Sequence, residues 1–205
     1  MADLSYRFDP LTEKHYAWHL AELREVAKEL TLPSTVSVEI GSNRANFLRD
    51  LSLAHAERFH IGLEWREKYV QMGLENLKAH DVDNALLLQA DANYALPILF
   101  DDGQIGELFI LFPDPWWKLR HRKRRIIQPP MLDLLEKKMS SGAVLWIRTD
   151  VGPLADDMRE VLAEHGAFEP LPFEDYPTVP FPRTTREVHI IKKGLPIHLL
   201  YFRRV

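Results

Sequence analysis

Four acidic residues, Glu39, Glu64, Asp91 and Asp114, stand at or beside the ends of successive apolar runs. In an open parallel sheet, ligands bind beyond the carboxyl ends of the strands, so carboxylates placed there can converge on one ligand. Each could equally cap the helix that follows it. The first of them leads into V-E-I-G-S-N-R-A-N-F, in which Gly41 opens a turn of the kind that binds nucleotides. Glu64 lies 23 positions after Gly41, close to the spacing of a carboxylate that holds ribose hydroxyls. Two further glycines are expected in such a turn, and Asn43 and Ala45 occupy their slots. Asparagine is the non-glycine residue that best tolerates a positive φ, so Asn43 can hold the turn. Ala45 is expected to add one methyl group where helix and strand approach. A glycine turn with a downstream acid fits a nicotinamide dinucleotide or S-adenosylmethionine and does not choose between them.

The stretch L-F-P-D-P-W-W-K-L-R-H-R-K-R-R is more specific. Pro113 and Pro115 bracket Asp114 and restrict the backbone on both sides, holding one carboxylate rigidly. A fixed polar residue beside tryptophans suits a planar base held near a cofactor; the plainer alternative is a stiff turn with Trp116 packed in the core. From Lys118 to Arg125 the chain carries six formal positive charges against a net charge of −4, so the rest of the chain carries −10. Such a run is often only a solvated face or a targeting signal. Placed directly after a candidate site turn, it points to a polyanion meeting one edge of an acidic body. Six phosphate contacts would make binding steeply salt-dependent, and Trp116 and Trp117 could stack on an unstacked base. Lys192, Lys193, Arg203 and Arg204 could extend that footprint or serve as surface charge.

The elements that must position these groups follow from hydrophobic periodicity. A helix is predicted over 13–30, with Tyr16, Leu20, Leu23, Val26, Ala27 and Leu30 on one face. Strands T-V-S-V-E-I, F-H-I-G-L-E, N-A-L-L-L-Q, E-L-F-I-L-F and A-V-L-W-I-R-T then alternate with helical patterns. Pro97 is expected to interrupt the short helix after the third strand, and Pro129 and Pro130 to open another. Alternating strands and helices imply βαβ units in a mostly parallel sheet, and continuous apolar runs imply cover on both faces. Five prolines between Pro170 and Pro182 suggest an extended loop. T-R-E-V-H-I-I and I-H-L-L-Y-F-R are expected as strands flanking K-K-G-L-P, an antiparallel hairpin.

Over residues 36 to 205 the sequence resembles the bacterial tRNA (guanine-N7)-methyltransferases. The resemblance rests on E-I-G, the G-L-E strand end, Q-A-D-A, F-P-D-P-W-x-K-x-R-H-x-K-R-R, Thr149–Asp150 and T-x-x-E from Thr184 to Glu187. It implies a doubly wound α/β fold, a Rossmann-like methyltransferase sheet of seven mostly parallel strands. S-adenosylmethionine would be the cofactor, bound by Glu39, Gly41, Glu64, Asp91 and Asp114, with Asp114 also the catalytic residue. Lys118, Asp150, Thr184 and Glu187 would bind the substrate, and Arg120, His121, Arg122, Lys123, Arg124 and Arg125 the RNA. The product would be 7-methylguanosine at position 46, in the tRNA variable loop. By spacing alone, T-x-x-E is only a capping box or the polar face of a strand. Besides Asn43 and Ala45, the chain departs from the family pattern after Asp150, where V-G-P-L replaces an aromatic-containing segment.

Composition bounds the rest. No apolar run approaches the roughly 20 residues that span a bilayer, the first ten residues lack the pattern of a signal peptide, and the chain has no cysteine. A cytoplasmic protein without a metal site is expected, acting as a monomer or homodimer. Residues 1–33 are expected as a helical extension and residues 34–205 as the methyltransferase domain. The alternative reading is a non-catalytic RNA-binding protein with an eroded cofactor loop; a methyltransferase acting on a small molecule or another RNA is a further one.

Overall fold

The structure, a computed structural model, describes residues 10–175 and 181–205. The first nine residues, the side chain of Tyr16 and residues 176–180 of the proline-rich stretch lie outside the described residues. Seven strands form one sheet: β1 (Val36–Ile40), β2 (His60–Glu64), β3 (Ala85–Gln89), β4 (Ile105–Leu111), β5 (Met139–Thr149), β6 (Phe168–Pro170) and β7 (His198–Arg204). Their spatial order is β3-β2-β1-β4-β5-β7-β6. The first five pair in parallel, and β7 runs antiparallel between β5 and β6. The helices are α1 (Pro10–Glu29), α2 (Asn46–Ala54), α3 (Glu67–Ala79), α4 (Ala92–Leu99), α5 (Pro129–Lys138), α6 (Gly152–His165) and α7 (Thr185–Lys192).

Side-chain alternation along the strands divides the core between the two faces. Val38, Ile61, Leu63, Leu108, Ile110, Leu145 and Ile147 face one way and pack with residues of α4, α5 and α6. Leu23 brings α1 into that same cluster. On the other face Phe109, Trp146 and Tyr201 meet Phe47 and Leu51 of α2 and Phe181. Leu48, Val70, Leu77 and Leu87 fill the space under α2 and α3. Among the described residues no helix is long and apolar enough to cross a membrane.

Three expectations require correction. The segment T-R-E-V-H-I-I is not a strand but the body of α7. Its β-branched residues read as extended, yet Thr184 caps the first turn and tertiary contacts hold it helical. The antiparallel partner of β7 is instead β6, three residues within a proline-rich stretch that reads as a loop. Helix α4 also continues through Pro97 to Leu99. Burial of Ala92, Ala95 and Leu96 outweighs the hydrogen bond that the exposed proline cannot make.

Candidate active site

Strand order reverses between β1 and β4, which defines the ligand-binding edge of such a sheet. Strand register brings Gly41, Glu64, Gln89, Leu111 and Arg148 into one row across that edge. The acidic tips therefore lie on a common side.

The G-S-N-R-A turn holds its shape with three residues in the left-handed region: Gly41 (φ 84°), Asn43 (φ 49°) and Ala45 (φ 55°). Nothing would meet a Cβ at Gly41, so its backbone is open to close approach. Asn43 takes the positive φ expected of it. Ala45 takes one too, which its residue type does not announce, and it supplies the buried N-cap of α2 without a capping side chain. The methyl of Ala45 meets helix α3, not a strand: a Cβ on Gly73 would come within 3.1 Å of it. The space given up by glycine in the turn is returned at Gly73.

Glu64 is buried, and its two oxygens accept separate backbone N–H groups, from Asn43 (2.9 Å) and Arg66 (2.9 Å). One carboxylate thus fastens the turn after β1 to the turn after β2. Glu39 is 4% exposed, and its Oε2 has no hydrogen-bond partner. Burial, opposed by a hydrogen bond to Ser42 and reinforced by repulsion from Glu64, pushes its pKa up to about 7. Asp91 does act as a cap: its Oδ1 accepts the amide of Asn93 (2.9 Å) at the start of α4.

The P-D-P-W turn leaves β4 with two bulky residues in the left-handed region, Phe112 (φ 54°) and Trp116 (φ 45°). Such residues rarely adopt it, and backbone strain of this kind persists only where surroundings fix it. Phe112 donates its N–H to the carbonyl of Arg148 (2.7 Å). Trp116 lies beneath the Arg124 guanidinium, 5.2 Å from its ring centroid, and meets His121 edge-on. Asp114, between them, is exposed.

The basic run forms a 3-10 helix over Leu119–Arg124. Lys118, Arg120, Arg122, Lys123 and Arg124 are exposed and His121 is half-buried. Loss of solvent, then Arg124, Arg120 and Lys118, lower the pKa of His121 and keep its imidazole neutral to lower pH. Arg125 departs from the expected RNA contact. It is only 6% exposed, donates Nε to the carbonyl of Pro115 (3.0 Å) and pairs with Asp157 (2.8 Å). Its charge anchors the P-D-P-W turn onto α6.

Beyond β5, the first turn of α7 completes the edge. Thr184 accepts the amide of Glu187 (3.0 Å), and Asn46 reaches Thr185 (3.1 Å). Glu187 is buried and holds Arg148 (2.8 Å), whose Nε donates to the Tyr201 hydroxyl (3.1 Å). Asp150 receives Arg186 through both oxygens (2.8 and 2.9 Å). Sequence reasoning missed Arg148, and gave Arg186 no role of its own within the Thr184–Glu187 segment. It also missed Trp65, 58% exposed and directly after Glu64, although an exposed aromatic beside a candidate ligand carboxylate is itself a signal. Among the described residues no group of three or more His, Cys, Asp or Glu could hold a metal ion.

Residues 33–199 match the family model described as "Putative methyltransferase". The tRNA (guanine-N(7)-)-methyltransferase of Myxococcus xanthus (strain DK1622) is 30% identical over 173 residues, covering 83% of this chain and 84% of that protein. That of Prochlorococcus marinus subsp. pastoris is 31% identical over 194 residues, covering 89% and 90%. The chain belongs to the tRNA (guanine-N7)-methyltransferase family. Among solved structures, the precorrin-6y C5,15-methyltransferase of Geobacter metallireducens GS-15 superposes with a TM-score of 0.57 at 18% identity, covering 90% of this chain and 87% of that one, a likeness of fold alone.

The cofactor of the family is S-adenosylmethionine, and the edge fits it. Glu64 is a carboxylate already oriented by two amides, Gly41 leaves backbone open, and Glu39 keeps a buried oxygen without a partner. A cationic group with N–H donors, such as the cofactor's ammonium, would satisfy that oxygen.

Proposed function

We propose that this chain methylates N7 of a guanine in tRNA, at position 46 of the variable loop, with Glu39, Gly41, Glu64 and Asp91 holding the cofactor. The observation that carries this reading is the gathering of the acidic tips on one sheet edge, with the strained P-D-P-W turn and exposed cations beside them. When bound, S-adenosylmethionine supplies a methyl group on a sulfonium, and guanine N7, with a lone pair and no proton at neutral pH, takes it without a base. The protein's work is then alignment, which can contribute about 7–11 kcal/mol of barrier lowering. Asp114 is the catalytic carboxylate: it faces the base and offsets the positive charge that develops on the ring. Lys118, Asp150, Thr184 and Glu187 frame the substrate base, Glu187 mainly by fixing Arg148. Arg120, His121, Arg122, Lys123 and Arg124 approach the RNA, whereas the buried Arg125 supports the turn.

A protein that only bound RNA would have no use for a buried Glu39 with one oxygen left without a partner, beside a doubly anchored Glu64, because each burial costs stability. Nucleoside mass spectrometry of tRNA lacking 7-methylguanosine, incubated with protein and S-adenosylmethionine, tests the proposal. Formation of 7-methylguanosine at the variable-loop position supports it. Modification elsewhere, or none with cofactor binding absent at millimolar concentration, refutes it.

A further inference from the structure

Adjacent residues of α7 clamp β5 and the residue just past its end in two different ways. Glu187 and Arg148 form a buried pair, with side chains 10% and 6% exposed. Arg186 and Asp150 form an open one, with the arginine side chain 54% exposed and the aspartate side chain 13%. Arg186 reaches Asp150 through Nε and Nη2, at 3.1 and 2.9 Å to Oδ1 and 2.8 Å to Oδ2. Its planar guanidinium also lies 5.8 Å from the ring centroid of Phe112, the left-handed residue that opens the P-D-P-W turn.

Guanine carries the same donor pattern. Its N1–H and N2 amino group present two N–H bonds side by side along one edge, as a guanidinium does, and its ring can lie on an aromatic face. Adenine lacks this pair of donors. A carboxylate that accepts an arginine fork accepts guanine's edge in the same geometry. Of the two carboxylates beyond β5, Glu187 is closed off by Arg148, so the one left to read such an edge is Asp150.

We propose that Arg186 is a placeholder for the substrate guanine. In the free protein it satisfies Asp150 and covers Phe112, and the incoming base displaces it from both. The inference rests on the proposed function and adds a specificity residue to it: Asp150 selects guanine, and Arg186 competes with it. Solvent-exposed ion pairs are weak, typically within a factor of roughly five in equilibrium constant, and a bidentate, half-sheltered pair is somewhat stronger. Displacement is therefore affordable, and the occupied state keeps Asp150 from standing bare.

The test is steady-state kinetics on unmodified tRNA transcript, with melting temperatures recorded for every variant. Arg186→Ala is expected to lower KM for tRNA roughly three- to tenfold, and Arg186→Lys, which lacks the fork, to lower it less. In an Asp150→Asn background the gain from Arg186→Ala is expected to vanish. A structural clamp or a phosphate contact would give the opposite sign, a raised KM. An unchanged or raised KM in Arg186→Ala, with the wild type active, overturns the placeholder. A wild type that forms no 7-methylguanosine fails the proposed function instead. Should Arg186→Ala not fold, 15N NMR of arginine side chains in the wild type decides: the Arg186 Nε–H resonance must move when tRNA and S-adenosylhomocysteine are added, and an unmoved resonance overturns the inference.

Discussion

Glu39 shows how a single side chain ties stability to pH. Burial raises its pKa from 4.5 to about 7, so between those values the folded protein binds more protons here than the unfolded chain. Stability from this group is complete below pH 4.5, falls as pH rises through 7, and is absent above, a loss on the order of 3 kcal/mol. Without cofactor, the protein is expected to melt at a lower temperature at pH 8 than at pH 5.5 on account of this group. Glu39→Gln should flatten that part of the profile, as differential scanning calorimetry across pH would show. At Asp114 the expectation is kinetic. Asp114→Asn keeps the shape of the turn and removes the charge that offsets a cationic base, so kcat should fall by about 10- to 100-fold with the melting temperature unchanged. Single-turnover rates would measure it, and full turnover would remove Asp114 from the catalytic role. The acids at strand ends were legible because their positions recur once per crossover. The partners of Asp150 and Glu187 were not, since nothing in the spacing of Arg148 or Arg186 marks which carboxylate each will meet.

Among elements, the turn after β1 and helix α3 must be considered together. A methyl on Gly73 would lie 2.4 Å from Leu87 Cδ2 and 3.1 Å from Ala45 Cβ. Gly73→Ala should therefore destabilise by about 1–3 kcal/mol through overpacking, despite a helix propensity gain near 1 kcal/mol. In an Ala45→Gly background the penalty should shrink, because one of the two obstructing groups is gone; chemical denaturation of the four proteins of this cycle would measure the coupling. The parallel strands were readable as unbroken apolar runs between helical periods. Helix α7 was not, because Val188, Ile190 and Ile191 favour a strand by composition, and the local cap at Thr184, which T-x-x-E does hint at, is backed by a remote contact that spacing does not show, the Arg148–Glu187 pair. Strand β6 escaped notice for a related reason, being only three residues long and ending in proline.

For the whole molecule, charge is segregated. Five exposed cations occupy one rim of a body whose remaining charge is strongly negative. RNA binding should weaken with salt by about 0.7–0.9 in log–log slope for each phosphate contact. Arg122→Glu should raise KM for tRNA severalfold at low salt and much less near 1 M salt, where the screening length falls to about 3 Å. Arg125→Ala should leave the salt slope as it is and lower the melting temperature instead, since its partners are Pro115 and Asp157. Titrations across ionic strength would separate these two arginines, which the sequence presents as neighbours of one kind.

Strand β7 pairs along both sides, with β5 and with β6, and its contacts with β5 join residues 49 to 59 positions apart. Until it docks, β5 offers a full row of unpaired amides and carbonyls on a flat apolar ribbon, an invitation to any other chain in the same condition. Refolding yield should therefore decline as protein concentration rises, and a synthetic peptide of residues 198–205 added during refolding should recover part of it by occupying that open flank.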